Sequence, residues 1–125
     1  MAQIDQWLDW YATVMWPPGR LLFLGICRDR RIGWADAETR ELAGRRSAAC
    51  AVLDGVMAHR PFVTGESFSI ADIAIAIGAN RIDGMRGPVP LPGHVQDWLE
   101  RMRARAAFAV ATAEEPVLAG IGAES

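Results

Sequence analysis

The sequence predicts an all-α fold, a helical bundle with a central buried helix. Three long segments carry apolar residues at the helical steps of three and four, and clusters of glycine and proline separate them. A fourth segment, Gly65 to Gly78, alternates isoleucine and alanine from Ile73 to Ile77, as a strand would. No other segment could pair with such a strand, and an unpaired strand leaves its backbone polar groups unsatisfied. The fourth segment is therefore also predicted to be helical.

The first helix is predicted over Ala2 to Trp16. Its apolar face comprises Ile4, Trp7, Leu8, Tyr11, Val14 and Met15. The pair Pro17-Pro18 predicts a break or kink, because a proline disfavours helical geometry in the residue before it. Leu21 to Ile26 resumes the apolar pattern, and Arg28 to Arg31 indicates a solvated connection, with phosphate binding as the alternative.

A second long helix is predicted from about Ala35 to about His59. Its apolar positions are Leu42, Ala49, Leu53 and Val56. Pro61 is expected to end this helix, and Gly65 supplies a turn before the next one.

The central helix is predicted over Ile70 to about Asp83. Ser69 and Asp72 have the spacing of a capping box, in which the two residues satisfy each other's free amides, and Phe68 with Ile73 would form the matching hydrophobic staple. The alternative is a catalytic pair of hydroxyl and carboxylate. Isoleucines spread around the helix, which predicts burial on most sides: Ile70, Ile73, Ile75 and Ile77.

The last helix follows a loop rich in glycine and proline, from Gly84 to Gly93. Its predicted apolar face consists of Val95, Trp98, Leu99, Met102, Ala106 and Ala109. We therefore expect one helical domain over residues 1–113 and a loosely ordered tail over residues 114–125.

Composition excludes several classes of function. The chain has 125 residues and a net charge of −2, without the basic stripe that nucleic-acid binding requires. No apolar run approaches the roughly 20 residues that span a bilayer, and the start lacks a basic signal region, so we expect a cytoplasmic protein that binds no membrane. Cys27 and Cys50 are expected to be free, and His59 and His94 have no partners at metal-ligand spacing.

Two segments together resemble a known family. The stretch RPFVTGESFSIADIAIA, followed by LPGHVQDWLERMRARAAFA after a proline-rich loop, resembles the C-terminal helical domain of bacterial glutathione S-transferases. The resemblance covers about Ile4 to Ala111, and Ala106 stands where proline is common in that family. The residues that carry it are Gly65, Phe68, Ser69, Ile70, Ala71, Asp72, Trp98, Arg105, Ala107 and Phe108.

The resemblance implies a binding role for the first helix. In that family this helix lines the pocket for the hydrophobic electrophile, which implies that Tyr11, Met15 and Trp16 contact substrate and that Arg20 lies near the pocket mouth. The alternatives are plain core packing for the first three and a solvated surface position for Arg20. No catalytic residue is expected in this chain.

The resemblance also implies a missing partner. Glutathione S-transferases bind glutathione, the co-substrate, in a thioredoxin-like βαβ domain that also stabilises the thiolate. No βαβ pattern occurs in this sequence, so we expect the chain alone to bind no cofactor and to be inactive. Its partner would be a thioredoxin-like domain or a second copy of itself, through a dimer face. The alternatives are a non-catalytic interaction or assembly module and a truncated, inactive remnant.

Overall fold

The computed structural model describes residues 2–105 and residue 108 of the chain. These residues form helices, and their one β-type contact is an isolated bridge between Phe62 and Gly65. The elements are α1 (Ala2–Trp10), π1 (Tyr11–Met15), α2 (Trp16–Leu22), π2 (Phe23–Arg28), α3 (Ala37–Met57), α4 (Ile70–Met85) and α5 (Gly93–Arg103). The predicted all-α class is confirmed, whereas the predicted tail, residues 114–125, lies outside the described residues.

The first four elements form one continuous helical rod, residues 2–28, which we call the N-terminal rod. The predicted break at Pro17 and Pro18 does not occur. Trp16 keeps helical dihedral angles of φ −68° and ψ −45°, and its N–H donates to the carbonyl of Tyr11, five residues back. This wider π turn leaves both prolines in the first turn of α2, where their missing N–H groups cost little.

Helix α4 is the central element. The segment whose alternation resembled a strand is therefore a helix, as predicted. It packs against α1, π1, α2 and α5. Half of its buried residues are alanine or glycine, which allow close approach, and the buried face comprises Ala71, Asp72, Ile75, Ala76, Gly78, Ala79, Ile82 and Met85. Among the isoleucines, Ile75 is fully buried, Ile73 and Ile77 are half-buried, and Ile70 is 61% exposed.

Two apolar clusters stabilise the bundle. The larger joins the N-terminal rod to the three long helices, and its most buried side chains include Leu53, Ile75 and Trp98. The smaller contains Leu22, Leu42 and Met85, with Phe23 and Trp34 packed against them. Each fully buried side chain of this size contributes about 1.5–3 kcal/mol relative to exposure.

Helix α5 ends earlier than its apolar pattern predicts. The helix stops at Arg103, and Ala104 has φ −75° and ψ −9°, which closes the last turn. The amide of Arg105 then donates to the carbonyl of Met102. Phe108 lies beyond this turn and is buried, whereas the predicted face residues Ala106 and Ala109 lie outside the described part of the chain.

Candidate functional site

The carboxylate of Asp72 lies fully buried at the N-terminal end of α4. Its Oδ1 accepts hydrogen bonds from the Val63 amide at 2.9 Å and from the Trp98 indole N–H at 3.1 Å. Its Oδ2 accepts from the Ser69 amide at 2.9 Å and from the Ser69 hydroxyl at 3.1 Å. Four donors therefore converge on one carboxylate, which connects the preceding loop, the start of α4 and α5.

This arrangement bears on the two interpretations of Ser69 and Asp72. The bond from the Ser69 amide to the carboxylate is the one that a capping box requires of its acidic residue. Both oxygens of Asp72 are engaged, and the residue has no surface exposed to solvent. These contacts favour the capping interpretation over the catalytic one.

An aromatic cleft opens between the N-terminal rod and the C-terminal half of α4. Its space measures about 350 Å³, including the part open to solvent. The rod contributes Tyr11, Met15, Trp16, Gly19 and Phe23, and α4 contributes Gly78, Arg81, Ile82 and Met85. The structure thus brings Tyr11, Met15 and Trp16, predicted to bind substrate, into one cleft.

Gly78 determines how closely the two walls of the cleft approach. A Cβ atom at this position would lie 2.6 Å from Cε1 and 2.8 Å from the hydroxyl oxygen of Tyr11, so the ring packs directly on the α4 backbone. Sequence reasoning missed Gly78. The available signal was a glycine inside an apolar helix, which costs about 1 kcal/mol relative to alanine and so indicates a packing reason.

The cation at the cleft is Arg81 and comes from α4. Its guanidinium carbon lies 5.4 Å from the centroid of the Trp16 ring, within the range of a cation–π interaction. The Trp16 ring in turn lies 6.1 Å from the Tyr11 ring at an interplanar angle of 36°. Arg20, predicted near the pocket mouth, is exposed and does not line the cleft. Sequence spacing could not identify Arg81, because it is distant from Trp16 along the chain.

The two cysteines are free thiols in different surroundings. Cys27 is half-buried and Cys50 is buried. Burial raises the pKa of the Cys50 thiol, and the nearby charge of Arg46 opposes only part of this effect. Less of this thiol is therefore ionised at neutral pH than in an exposed cysteine, which makes Cys50 a poor nucleophile.

Residues 2–105 and 108 offer neither a metal site nor a membrane-spanning helix. There, no three side chains of histidine, cysteine, aspartate or glutamate are grouped so that they could hold a metal ion. His59 and His94 are both exposed. Over the same residues, no helix combines the length and the apolar character needed to cross a bilayer.

Solved glutathione S-transferases share this fold. The theta-class glutathione S-transferase of Xanthomonas axonopodis pv. citri, in its apo form, matches with a TM-score of 0.71 and 24% identity over 91% of this chain and 61% of that chain. Its structure with glutathione bound gives a TM-score of 0.72 and 25% identity over 87% and 58% of the two chains. Glutathione transferase F2 of Populus trichocarpa gives 0.72 and 14% identity over 98% and 56%.

The described residues therefore form an all-helical domain of the glutathione S-transferase fold, as the sequence resemblance predicts. The chain spans only about three fifths of the length of these solved proteins. No protein-family model matches the sequence, and no curated protein matches it.

Proposed function

We propose that this chain supplies the hydrophobic-substrate side of a glutathione conjugation site. The observation that carries the proposal is the aromatic cleft, which brings Tyr11, Met15 and Trp16 together between the N-terminal rod and α4. The shared fold with a transferase whose structure contains glutathione supports it. A thioredoxin-like partner domain in the cytoplasm would supply the glutathione and the group that stabilises its thiolate.

The cleft suits a flat, apolar electrophile. The rings of Tyr11 and Trp16 offer π faces to an aromatic substrate, and the Met15 thioether adapts to irregular shapes. Arg81 would lie near electron-withdrawing substituents, where its positive charge is favourable. In the conjugation itself the glutathione sulfur forms a bond to the electrophilic carbon, and the leaving group departs with the electron pair.

The test is reconstitution with a thioredoxin-like domain of a glutathione S-transferase, supplied in trans or fused before residue 1. We expect conjugation of chlorodinitrobenzene by the reconstituted protein and none by the chain alone. Immobilised glutathione should retain the chain only when that domain is present. Conjugation by the chain alone, or retention without the domain, would contradict the proposal.

A matched pair of variants ties the activity to the cleft. In the reconstituted protein, Trp16→Leu should raise the KM for chlorodinitrobenzene at least fivefold, because one π face of the cleft is lost. Thr13→Ala is the control, since Thr13 lies on the same rod but is exposed and does not line the cleft. Equal KM values in the two variants would show that the cleft does not bind the electrophile.

A second candidate function is assembly through the N-terminal rod. Val14 and Leu21 lie seven residues apart on the rod, and they are 44% and 40% exposed. Val52 on α3 is 52% exposed. We propose that the rod and α3 form a self-association face. Light scattering should then show a dimer that Leu21→Asp dissociates, whereas a monomer across a broad concentration range would contradict this candidate.

A further inference from the structure

A second cavity lies on the other side of Ile82 from the aromatic cleft and shares only this residue with it. Its space is about 340 Å³, including the part open to solvent. We call it the Arg46 cavity. It is lined by three residues of α3, one of α4 and four of the loop before α5: Arg46, Ser47, Cys50, Ile82, Val89, Pro90, Leu91 and Pro92.

The guanidinium of Arg46 is the unusual group in this cavity. The residue is only 4% exposed, and burial lowers its pKa, although a guanidinium remains charged at neutral pH. Its Nη1 lies 3.7 Å from the Met85 sulfur, a weak acceptor, and its carbon lies 5.6 Å from the Trp34 ring centroid. Within residues 2–105 and 108, no carboxylate forms an ion pair with it.

Arg46 is a buried cation that has five N–H donors and only one weak acceptor. Its contacts therefore replace only part of the hydrogen bonding to water that burial removes. Arg46 also lines a cavity with room beside it, so an anionic group there would regain the missing hydrogen bonds. A carboxylate matches the planar fork of a guanidinium with two parallel bonds. Ser47, which is half-buried, belongs to the same lining and is a polar residue.

The wall opposite Arg46 indicates which chemical group should be attached to the anionic group. Pro90 and Pro92 have no backbone N–H, and Ile82, Val89 and Leu91 are apolar, so this wall is poor in hydrogen-bond donors. A strongly hydrated dianion such as sulfate would meet one cation and a largely apolar wall. A monocarboxylate with a short hydrocarbon chain would satisfy both halves of the cavity.

We propose that the Arg46 cavity binds a small aliphatic monocarboxylate. Its carboxylate pairs with the Arg46 guanidinium, and its chain packs on Ile82, Val89 and Leu91. The entrance lies at Val89 and Pro90, which are both exposed, whereas Arg46 and Leu91 are buried. This site is separate from the aromatic cleft, so the proposal does not depend on the proposed conjugation function.

The experiment is a titration of the full chain with sodium butyrate, at an ionic strength held constant with sodium chloride. The readout is the NMR chemical shift of the Trp34 indole N–H and of the Ser47 and Leu91 amides. We expect saturable shifts with butyrate, but none with butyramide, the uncharged analogue, or with sulfate. Shifts that do not saturate, or that butyramide reproduces, would overturn the proposal.

Three variants locate the binding. Arg46→Met keeps an unbranched side chain but removes the guanidinium and should lower butyrate affinity at least tenfold, whereas Arg45→Met, which changes an exposed neighbour on α3, should leave it unchanged. If Arg46→Met does not fold, Val89→Trp tests the same site, because it fills the entrance from an exposed position and should also lower the affinity at least tenfold. Wild-type affinity in Arg46→Met or Val89→Trp would overturn the proposal.

Discussion

The two halves of α4 contact their neighbours in different ways. At its N-terminal end, Asp72 is fully buried and accepts four hydrogen bonds from the preceding loop, the cap position and α5. In its C-terminal half, Gly78 and Arg81 face the N-terminal rod across a cleft that is open to solvent. At the N-terminal end of α4 the buried polar groups are fully hydrogen-bonded, whereas the C-terminal half lines a cleft with apolar walls.

This difference indicates that the N-terminal end of α4 fixes the position of the helix and that its C-terminal half forms the proposed binding surface. A buried network in which every donor has an acceptor fixes the position of α4, because any misalignment leaves a buried polar group unpaired. The same rigid helix then holds one wall of the cleft against the rod. The segment that carries the clearest sequence resemblance is therefore the structural end of α4, and the proposed binding surface begins two turns later.

Replacing the carboxylate of Asp72 should have the largest effect on stability. In Asp72→Asn the new amide N–H₂ group faces donors, so about two hydrogen bonds to a charged acceptor are lost, at roughly 1.5–3 kcal/mol each. We expect the free energy of unfolding in urea to fall by about 3 kcal/mol or more.

The control for this substitution is Asp97→Asn, at an exposed position of α5. It should change the free energy of unfolding by less than about 0.5 kcal/mol. Similar losses in the two variants would show that the Asp72 network does not stabilise the fold.

Removing the indole donor of Trp98 should have the next largest effect. Trp98→Phe deletes the hydrogen bond to Asp72 Oδ1 and part of a fully buried side chain, so we expect a loss of about 2–3 kcal/mol. A double-mutant cycle with Asp72→Asn should give a coupling energy of about 0.5–3 kcal/mol, because both substitutions break the same bond. Additive losses in this cycle would count against a shared network.

Adding a methyl group at the cleft should have a smaller effect on stability. Gly78→Ala forces the Tyr11 ring away from α4, which costs about 1–3 kcal/mol, and better helix propensity returns about 1 kcal/mol. Gly55→Ala in α3 is the matched control, since no neighbouring atom lies within 4 Å of its added carbon, and it should stabilise the protein. Urea unfolding should therefore give opposite signs, and equal signs would contradict the close contact.

The smallest effect on stability is expected for Trp16→Leu. This residue is half-buried, and its cation–π contact with Arg81 contributes about 0.5–1 kcal/mol. The free energy of unfolding should fall by no more than about 1 kcal/mol, while the affinity for an apolar aromatic ligand falls at least fivefold. A large loss of stability without a change in affinity would assign Trp16 to the core instead.

The sequence predicted the helices well because local rules determine them. Helix α4 begins at Ile70 as predicted, since Ser69 and Asp72 mark its start, and α3 lies within two residues of its predicted bounds at each end. The predicted break at the prolines does not occur because a π turn before them, which no local pattern signals, keeps the helix continuous. The end of α5 was also missed, since its apolar pattern continues past the turn at Ala104.

Only one wall of the aromatic cleft, the one formed by the N-terminal rod, could be predicted from the sequence. Tyr11, Met15 and Trp16 lie close together in sequence, so helical spacing and the family resemblance group them. Gly78 and Arg81 join the cleft only through packing of α4 on the rod, and nothing in their own neighbourhood of the sequence indicates that contact. The Arg46 cavity depends in the same way on three elements that are distant in the chain.

The most direct test of the separate roles of the two halves of α4 is a titration of the chain with dinitrobenzene, an aromatic ligand that has no halide leaving group. The titration is followed by amide chemical shifts. We expect saturable shifts at Gly19, Phe23 and Gly78, with Val63 and Ser69 unchanged, and we expect the affinity to fall at least fivefold in Trp16→Leu. Shifts of equal size at both ends of α4, or unchanged binding in Trp16→Leu, would contradict these separate roles.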